Sequence, residues 1–296
     1  MPRWFPAIVL VPAALLIGGC SRQVATQTGF VQVNGARLHY EEAGQGTPVV
    51  MIHGGFLDAR MWDPQFEVVA RRYRAIRYDV RAHGQSATDS VEFADHEDLL
   101  ALLDSLGIES AVVVGLSMGG QIATDFALTH PERVTALVLV SPGLSGFQPD
   151  NDELTAFRRE LEAAFESGDF ARVTEVFART WCDGPRRQPQ DVDPAVRTRV
   201  LEMLGGSEQR WQYWNLQRGI DPPAVDRLEE IRAPTLAVEG SLDMTVIHEI
   251  VDRIVARVPG ARKVVIPGAA HMLNMEKPEQ FNETLLAFLQ DVTESR

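Results

Sequence analysis

Gly115, Ser117 and Gly119 stand at the end of one apolar run, in "AVVVGLSMGGQIA" over residues 111–123. A serine framed by glycines between a buried strand and a helix is the pattern of a nucleophile elbow. The turn must be tight, with the hydroxyl held outward, and the flanking glycines leave no Cβ atoms to collide there. The N-terminus of the following helix aims its free N–H groups and dipole at the site, where they favour developing negative charge. A serine hydroxyl is a weak nucleophile without a base, so the next question is which of seven histidines could serve.

His39 falls in a hairpin and is expected at the surface. His96 and His130 lie on or beside helices, and His248 lies on a helix with no distinctive neighbours. His53, His83 and His271 lie in loops after strands. His271, in "PGAAHMLNMEKPE", follows the last strand and precedes the last helix, and no core demand explains an imidazole there. An acid that orients it should follow a strand between serine and histidine. Asp243, in "PTLAVEGSLDMTV", meets that condition, although it could also cap the next helix. Glu239 competes for the role but reads as a strand-end residue. The order Ser117, Asp243, His271 is one in which such triads occur. "IHGGF", residues 52–56, offers a glycine loop of backbone donors. The Gly55 and Met118 N–H groups are the expected oxyanion donors, with His53 organising the loop rather than acting as a base.

These residues need a scaffold. Strand-like runs cover 48–53, 73–79, 111–116, 134–141, 234–240 and 262–267, and helical periodicity covers 94–106, 118–129, 245–258 and 277–292. The alternation predicts an α/β fold with a mostly parallel sheet covered on both faces. Asn34-Gly35 between two alternating runs predicts a hairpin. From about 142 to 230 the strands stop and helical patterns take over, two of them broken at Ser167-Gly168-Asp169. A helical insertion between two strands of such a sheet is expected to cap its carboxyl edge, where ligands bind. The division is therefore 30–141 and 231–296 for the core, 142–230 for the cap and 21–29 for a linker. Phe147, Trp181, Trp211, Tyr213 and Trp214 are apolar candidates from the cap, most of them expected to pack within it. Phe56, Leu144 and Met272 are candidates around the elbow.

Net charge is −13 over 296 residues and no stretch is rich in Lys and Arg, which argues against nucleic acid as a partner. With 45% hydrophobic and 23% charged residues the chain can bury a sizeable core. Two cysteines, Cys20 and Cys182, exclude a disulfide framework and a cysteine-rich metal site. Cys182 reads as a small, partly buried residue. No metal or organic cofactor is implied.

Residues 1–20 differ from the rest. Arg3 precedes the apolar run "WFPAIVLVPAALLI", too short and too proline-interrupted for a membrane span, and the stretch ends "IGGC". This resembles the lipobox of bacterial lipoproteins, and that resemblance implies an acylated Cys20 at the mature N-terminus. A plain signal peptide or a tethering helix are the alternatives. The expected setting is a bacterial cell envelope, with contact to the membrane through the lipid anchor only.

Residues from about 30 to 292 resemble the α/β-hydrolase superfamily with a helical cap. The resemblance rests on "HGGFLDARMWDPQ", "YDVRAHGQS", "GLSMGG", "GSLD" and "GAAHMLNMEKPE". It is specific for the superfamily and poor for substrate. "GLSMGG" and "MWDPQ" are similar to stretches in small-molecule esterases and enol-lactonases. The resemblance implies a serine hydrolase acting on a small ester or lactone, and it implies that Asp79, Arg81 and Ser86 brace a loop. Ala82 stands where the family often has glycine. A serine at 117 departs from dehalogenases and epoxide hydrolases, which use aspartate there. Carbon–carbon bond hydrolysis, perhydrolysis and ligand sensing with an intact triad stay open.

Overall fold

The computed structural model describes residues 24–149, 151–205 and 212–294. Strands β1 (Thr26–Val33) and β2 (Ala36–Ala43) form an antiparallel hairpin. Asn34 and Gly35 both take positive φ, 39° and 77°, as the tightest two-residue hairpin turn requires. β3 (Pro48–Ile52), helix α1 (Asp63–Ala70), β4 (Arg74–Tyr78) and the short β5 (Ala87–Thr88) follow. Next come α2 (Asp95–Ser105), β6 (Ala111–Leu116), α3 (Met118–Thr129) and β7 (Val134–Val140). The chain then leaves the sheet for α4 (Asp152–Glu166), α5 (Phe170–Phe177), a π-helical turn over Ala178–Asp183 and α6 (Pro194–Leu204). It returns with β8 (Thr235–Gly240), α7 (Thr245–Arg257), β9 (Arg262–Ile266), the single turn α8 (Leu273–Glu276) and α9 (Pro278–Glu294).

The sheet order is β1-β2-β4-β3-β6-β7-β8-β9, with β5 beside β2. From β3 onward the neighbours are parallel, and β2 runs antiparallel to β4. Every residue of β6 and of β7 is buried, which explains their unbroken apolar runs. Side chains alternate between two cores. Val112, Val114, Val138 and Val140 face Phe66 of α1 and Phe281, Leu285 and Phe288 of α9. Val113, Leu137 and Leu139 face Leu99, Phe126, Val251 and Ile254 from α2, α3 and α7. Each such side chain contributes roughly 1.5–3 kcal/mol by leaving water.

The strand order fixes where a site can form. β4 lies on one side of β3 and β6 on the other, so the connections diverge at β3 and β6 and open a crevice past their carboxyl ends. The loop after β3 holds His53, Gly54 and Gly55, and the turn after β6 holds Ser117.

Two expectations from the sequence need correction. The strand at the edge begins at Thr26, pairing with Ala43, so the linker does not reach Gly29. A polar segment suffices because β1 has a neighbour on one side only and its first residues are exposed. His39, expected at the surface, is buried. Its Nδ1 donates to Asp79 at 3.0 Å, and this bond is the main reason its pKa rises. Among the described residues no helix is long and apolar enough to cross a membrane.

Candidate active site

Ser117 sits between β6 and α3 with φ 54° and ψ −114°, a sparsely populated positive-φ conformation that costs an L-residue about 1–3 kcal/mol. The surroundings hold it there. Its N–H donates to Val140 O at 3.0 Å, and its carbonyl accepts from Gly143 N at 2.8 Å and Gln121 N at 3.0 Å. The flanking glycines are sterically required. A Cβ on Gly115 would lie 2.1 Å from Gly119 O, and one on Gly119 would lie 2.2 Å from Ile52 O. The elbow is thus wedged between β3 and its own first helical turn.

Asp243 and His271 are both buried. His271 Nδ1 lies 3.0 Å from Asp243 Oδ2 and 3.2 Å from Oδ1. Because a carboxylate accepts, Nδ1 donates and Nε2 is left as the basic nitrogen. Asp243 Oδ1 also accepts from Met244 N at 2.8 Å, so this carboxylate both meets the imidazole and binds a backbone donor just before α7. Glu239 is elsewhere. It projects from β8 to Lys263 at 2.9 Å and to His248 at 3.1 Å, which corrects the expectation that His248 has no distinctive neighbour.

The loop after β3 is organised by two imidazoles. His53 accepts from Val80 N at 2.9 Å and donates Nδ1–H to Gly54 O at 2.8 Å. His83 accepts from Phe56 N at 3.2 Å and donates Nδ1–H to Arg81 O at 2.9 Å. The Gly54 N–H points to Met61 Sδ at 3.2 Å. Gly55, between these two engaged donors, lines the cavity beside Met118, and a Cβ built on it would lie 3.7 Å from Met118 Cβ. Gly55 and Met118 are therefore brought together next to Ser117.

The brace below this loop is dense. Asp79 accepts from Ala59 N at 2.8 Å, Gln85 N at 2.9 Å and His39. Burial works against its charge, but the His39 bond and the backbone donors outweigh it and hold its pKa below the usual value. Ser86 Oγ donates to Asp79 O at 2.6 Å, and the fully buried Arg81 pairs with Asp98 at 2.7 Å. Ala82 has φ 59°, a left-handed position that glycine occupies without strain.

Ser117, Met118, Gly55 and His271 line one cavity of about 630 Å³ between the sheet edge and the helical segment. Of the side chains expected to bind substrate, Phe56, Trp181 and Met272 line it. Leu144 does not. It is buried with Ile122 and Phe126 in the core on the α3 side, because a place in the loop after β7 does not set which way a side chain points. Phe147 packs under the Arg253 guanidinium at 5.2 Å instead of lining the cavity, and Tyr213 is not among the lining residues. Trp211 and Cys20 lie outside the described residues.

Several lining residues escaped the sequence reading. Gln121 and Asp125 stand four and eight residues after Ser117, on one stripe of α3 that a helical count from the serine would have found. Asp95 and His96 of α2, and Phe157 and Phe177 of the helical segment, complete the wall. Burial pushes the Asp125 carboxyl up to about 6, with Asp95 adding to the rise and the Ser145 hydroxyl, 2.6 Å away, opposing it. Burial holds His96 below its ordinary value. Among the described residues no group of three His, Cys, Asp or Glu side chains could hold a metal ion.

Known proteins share this architecture. The chain is 30% identical over 286 residues to a 2-hydroxy-6-oxo-6-phenylhexa-2,4-dienoate hydrolase of Burkholderia cepacia, covering 90% of this chain and 97% of that one. It is 24% identical to the carboxylesterase YbfK of Bacillus subtilis, covering 90% and 88%. The structure of Est816, described as an N-acyl homoserine lactone degrading enzyme, superposes with a TM-score of 0.73 at 26% identity, covering 88% of this chain and all of that one. The model of the "Alpha/beta hydrolase family" matches residues 49–284; with an elbow serine at the carboxyl edge of a mostly parallel sheet, this chain belongs to that family and is a hydrolase.

Proposed function

We propose that the protein is a serine hydrolase of small carboxylic esters, acting through an acyl-enzyme on Ser117. One observation carries the reading: an imidazole whose Nδ1 is held by a buried carboxylate lines the same cavity as a serine in a strained elbow. Ser117 Oγ attacks the acyl carbon as His271 Nε2 takes its proton. Asp243 keeps the donor on Nδ1 and stabilises the imidazolium. The N–H groups of Gly55 and Met118 receive the oxyanion, each typically worth 10²–10³ in rate. His271 then protonates the leaving alcohol, and a water activated by the same nitrogen releases the acid.

The carboxylesterase relative supports an ester as substrate, and the lactone-degrading neighbour supports a cyclic one. A second reading, hydrolysis of a compound such as 2-hydroxy-6-oxo-6-phenylhexa-2,4-dienoate, is favoured by the relative of 30% identity. A panel of p-nitrophenyl esters, lactones and that dienoate, run against wild type and Ser117→Ala, separates the readings. Turnover of esters that vanishes in the variant is expected. Turnover of the dienoate alone would replace the ester reading with the second.

We further propose that the mature chain starts at an acylated Cys20 in a bacterial envelope membrane, with the hydrolase in the aqueous phase. At about 0.8 kcal/mol per buried CH₂, two or more acyl chains hold stably where one does not. Cys20→Ser is expected to release the protein from the membrane fraction. Its recovery there in full would point to a retained apolar helix instead.

A further inference from the structure

The helical segment does more than roof the cavity: it grips the loops that carry Asp243 and His271. Arg187, just after the π-helical turn, forks onto Glu276 of α8, with Nη1 2.5 Å from Oε2 and Nη2 3.1 Å from Oε1. Both side chains are largely covered, 11% and 6% exposed. Glu276 Oε1 in turn accepts the Ala270 N–H at 3.0 Å, one residue before His271. The same guanidinium donates to the carbonyls of Asp183 at 2.7 Å and Cys182 at 2.9 Å. Those carbonyls directly follow Trp181, whose ring stands 4.6 Å from the His271 ring, tilted 48°. One guanidinium therefore fixes two things at once: the backbone that carries Trp181 and, through Glu276, the backbone that carries His271. Nearby, Glu153 of α4 accepts the Thr245 N–H at 2.9 Å, two residues after Asp243.

We propose that Arg187 is a positioning residue, which through Glu276 and the Ala270 N–H sets the imidazole of His271 against Asp243 and toward Ser117. The proposal rests on the serine-hydrolase reading above. A planar fork is needed because one group must meet a carboxylate bidentately and two carbonyls as well. A misplacement of about 1 Å at a reacting group is enough to cost on the order of 10²-fold in rate. Arg187 is not among the residues that line the cavity, so its effect on the reaction has to pass through the base rather than through the substrate.

The test compares wild type with Arg187→Lys and with the double variant Arg187→Met, Glu276→Met, which leaves no unpaired charge. Three quantities are read: the rate at which a fluorophosphonate labels Ser117, kcat and KM over a series of p-nitrophenyl esters of rising acyl length, and the downfield NMR signal of the His271 Nδ1 proton. Thermal melting checks the fold. In the double variant labelling and kcat are expected to fall about tenfold to a hundredfold, by one common factor for every ester, with KM little changed. The downfield signal should broaden. Arg187→Lys should recover part of the loss, since it keeps the charge without the fork.

A loss that varies with acyl length would overturn the proposal by making Arg187 a shaper of the pocket. Wild-type rates in a folded double variant would overturn it too. If the double variant does not fold, Arg187→Gln, which removes the fork, takes its place, and unchanged labelling and kcat there overturn it equally. Failure of the serine-hydrolase reading looks different: Ser117 would resist labelling in the wild type, while the His271 signal, which needs no turnover, would still report on Arg187.

Discussion

In β6 and β7 every residue is buried, whereas in α4, a helix of 15 residues, only Ala164 is. The sheet packs apolar side chains against other apolar side chains on both faces. The helical segment turns Leu154, Phe157 and Leu161 of α4 toward the cavity. Burial in the first case is complete in the protein alone, and in the second it is completed by whatever fills the cavity. The division is one of labour: the sheet holds strained chemistry in place, and the cap offers apolar surface that a substrate can finish covering. Trp181 and Arg187 cross that boundary, since one packs against the His271 ring and the other reaches its loop.

The sharpest way to break this picture is at the elbow. Ser117→Ala should lower kcat by about 10⁴-fold or more while the fold persists, because the proposed mechanism makes this residue the nucleophile. Ester turnover and thermal melting check it, and wild-type turnover would sink the assignment. Asp243→Asn comes next, with an expected loss of up to about 10⁴-fold through the wrong imidazole tautomer. Glu239→Gln should leave kcat nearly unchanged, since Glu239 faces Lys263 and His248. Exchange of these two results in steady-state assays would relocate the acid.

Leu144 and Trp181 contrast the two regions directly. Leu144→Ala should cost about 2–5 kcal/mol of stability and leave the ratio of kcat/KM between short and long acyl esters alone. Trp181→Ala should change that ratio, on a scale of roughly 1–3 kcal/mol per methylene of substrate. Denaturant melts and an ester series on both variants distinguish packing from recognition.

The smallest expected effect lies at the seam, on Asp125. Its folded pKa of about 6 stands above the unfolded 3.8, so between about pH 4 and 6 the native state binds more protons than the unfolded one. Stability is therefore lost as pH rises through that window and stays lost above it. Asp125→Asn should flatten this slope and raise stability at neutral pH by at most about 3 kcal/mol. Melting curves from pH 4 to 8 measure it, and a slope unchanged by the substitution would assign it to another group.

The strands over 111–116 and 134–140 were legible because a parallel strand covered on both faces leaves an unbroken apolar run in the sequence. The amphipathic α7 was legible from its stripe. α1 was not: it has eight residues, starts at Asp63-Pro64 and shows little periodicity. The polar start of β1 read as linker because an exposed edge strand demands no apolar residue. At the site, glycine spacing and chain order pointed to Ser117, Asp243 and His271, since steric and chemical needs act locally there. His39 with Asp79, 40 residues apart, and Arg187 with Glu276, 89 apart, could not be read, because nothing in either neighbourhood records its partner. Leu144 was misplaced for a related reason, as the sequence does not say which way a loop side chain points.

Cys182 has a use that follows from where it sits. It is fully buried beside Trp181, and burial pushes its thiol up to about 12. The thiolate is the form that reacts, so in the folded molecule this sulfur is close to inert toward alkylating reagents and toward mixed-disulfide formation. Reaction requires a local opening that exposes it. The alkylation rate of Cys182 is then a clock for that opening, and its dependence on reagent concentration gives the free energy of a local unfolding event. A tight-binding ester analogue that fills the cavity should slow the clock, without any probe having to be introduced.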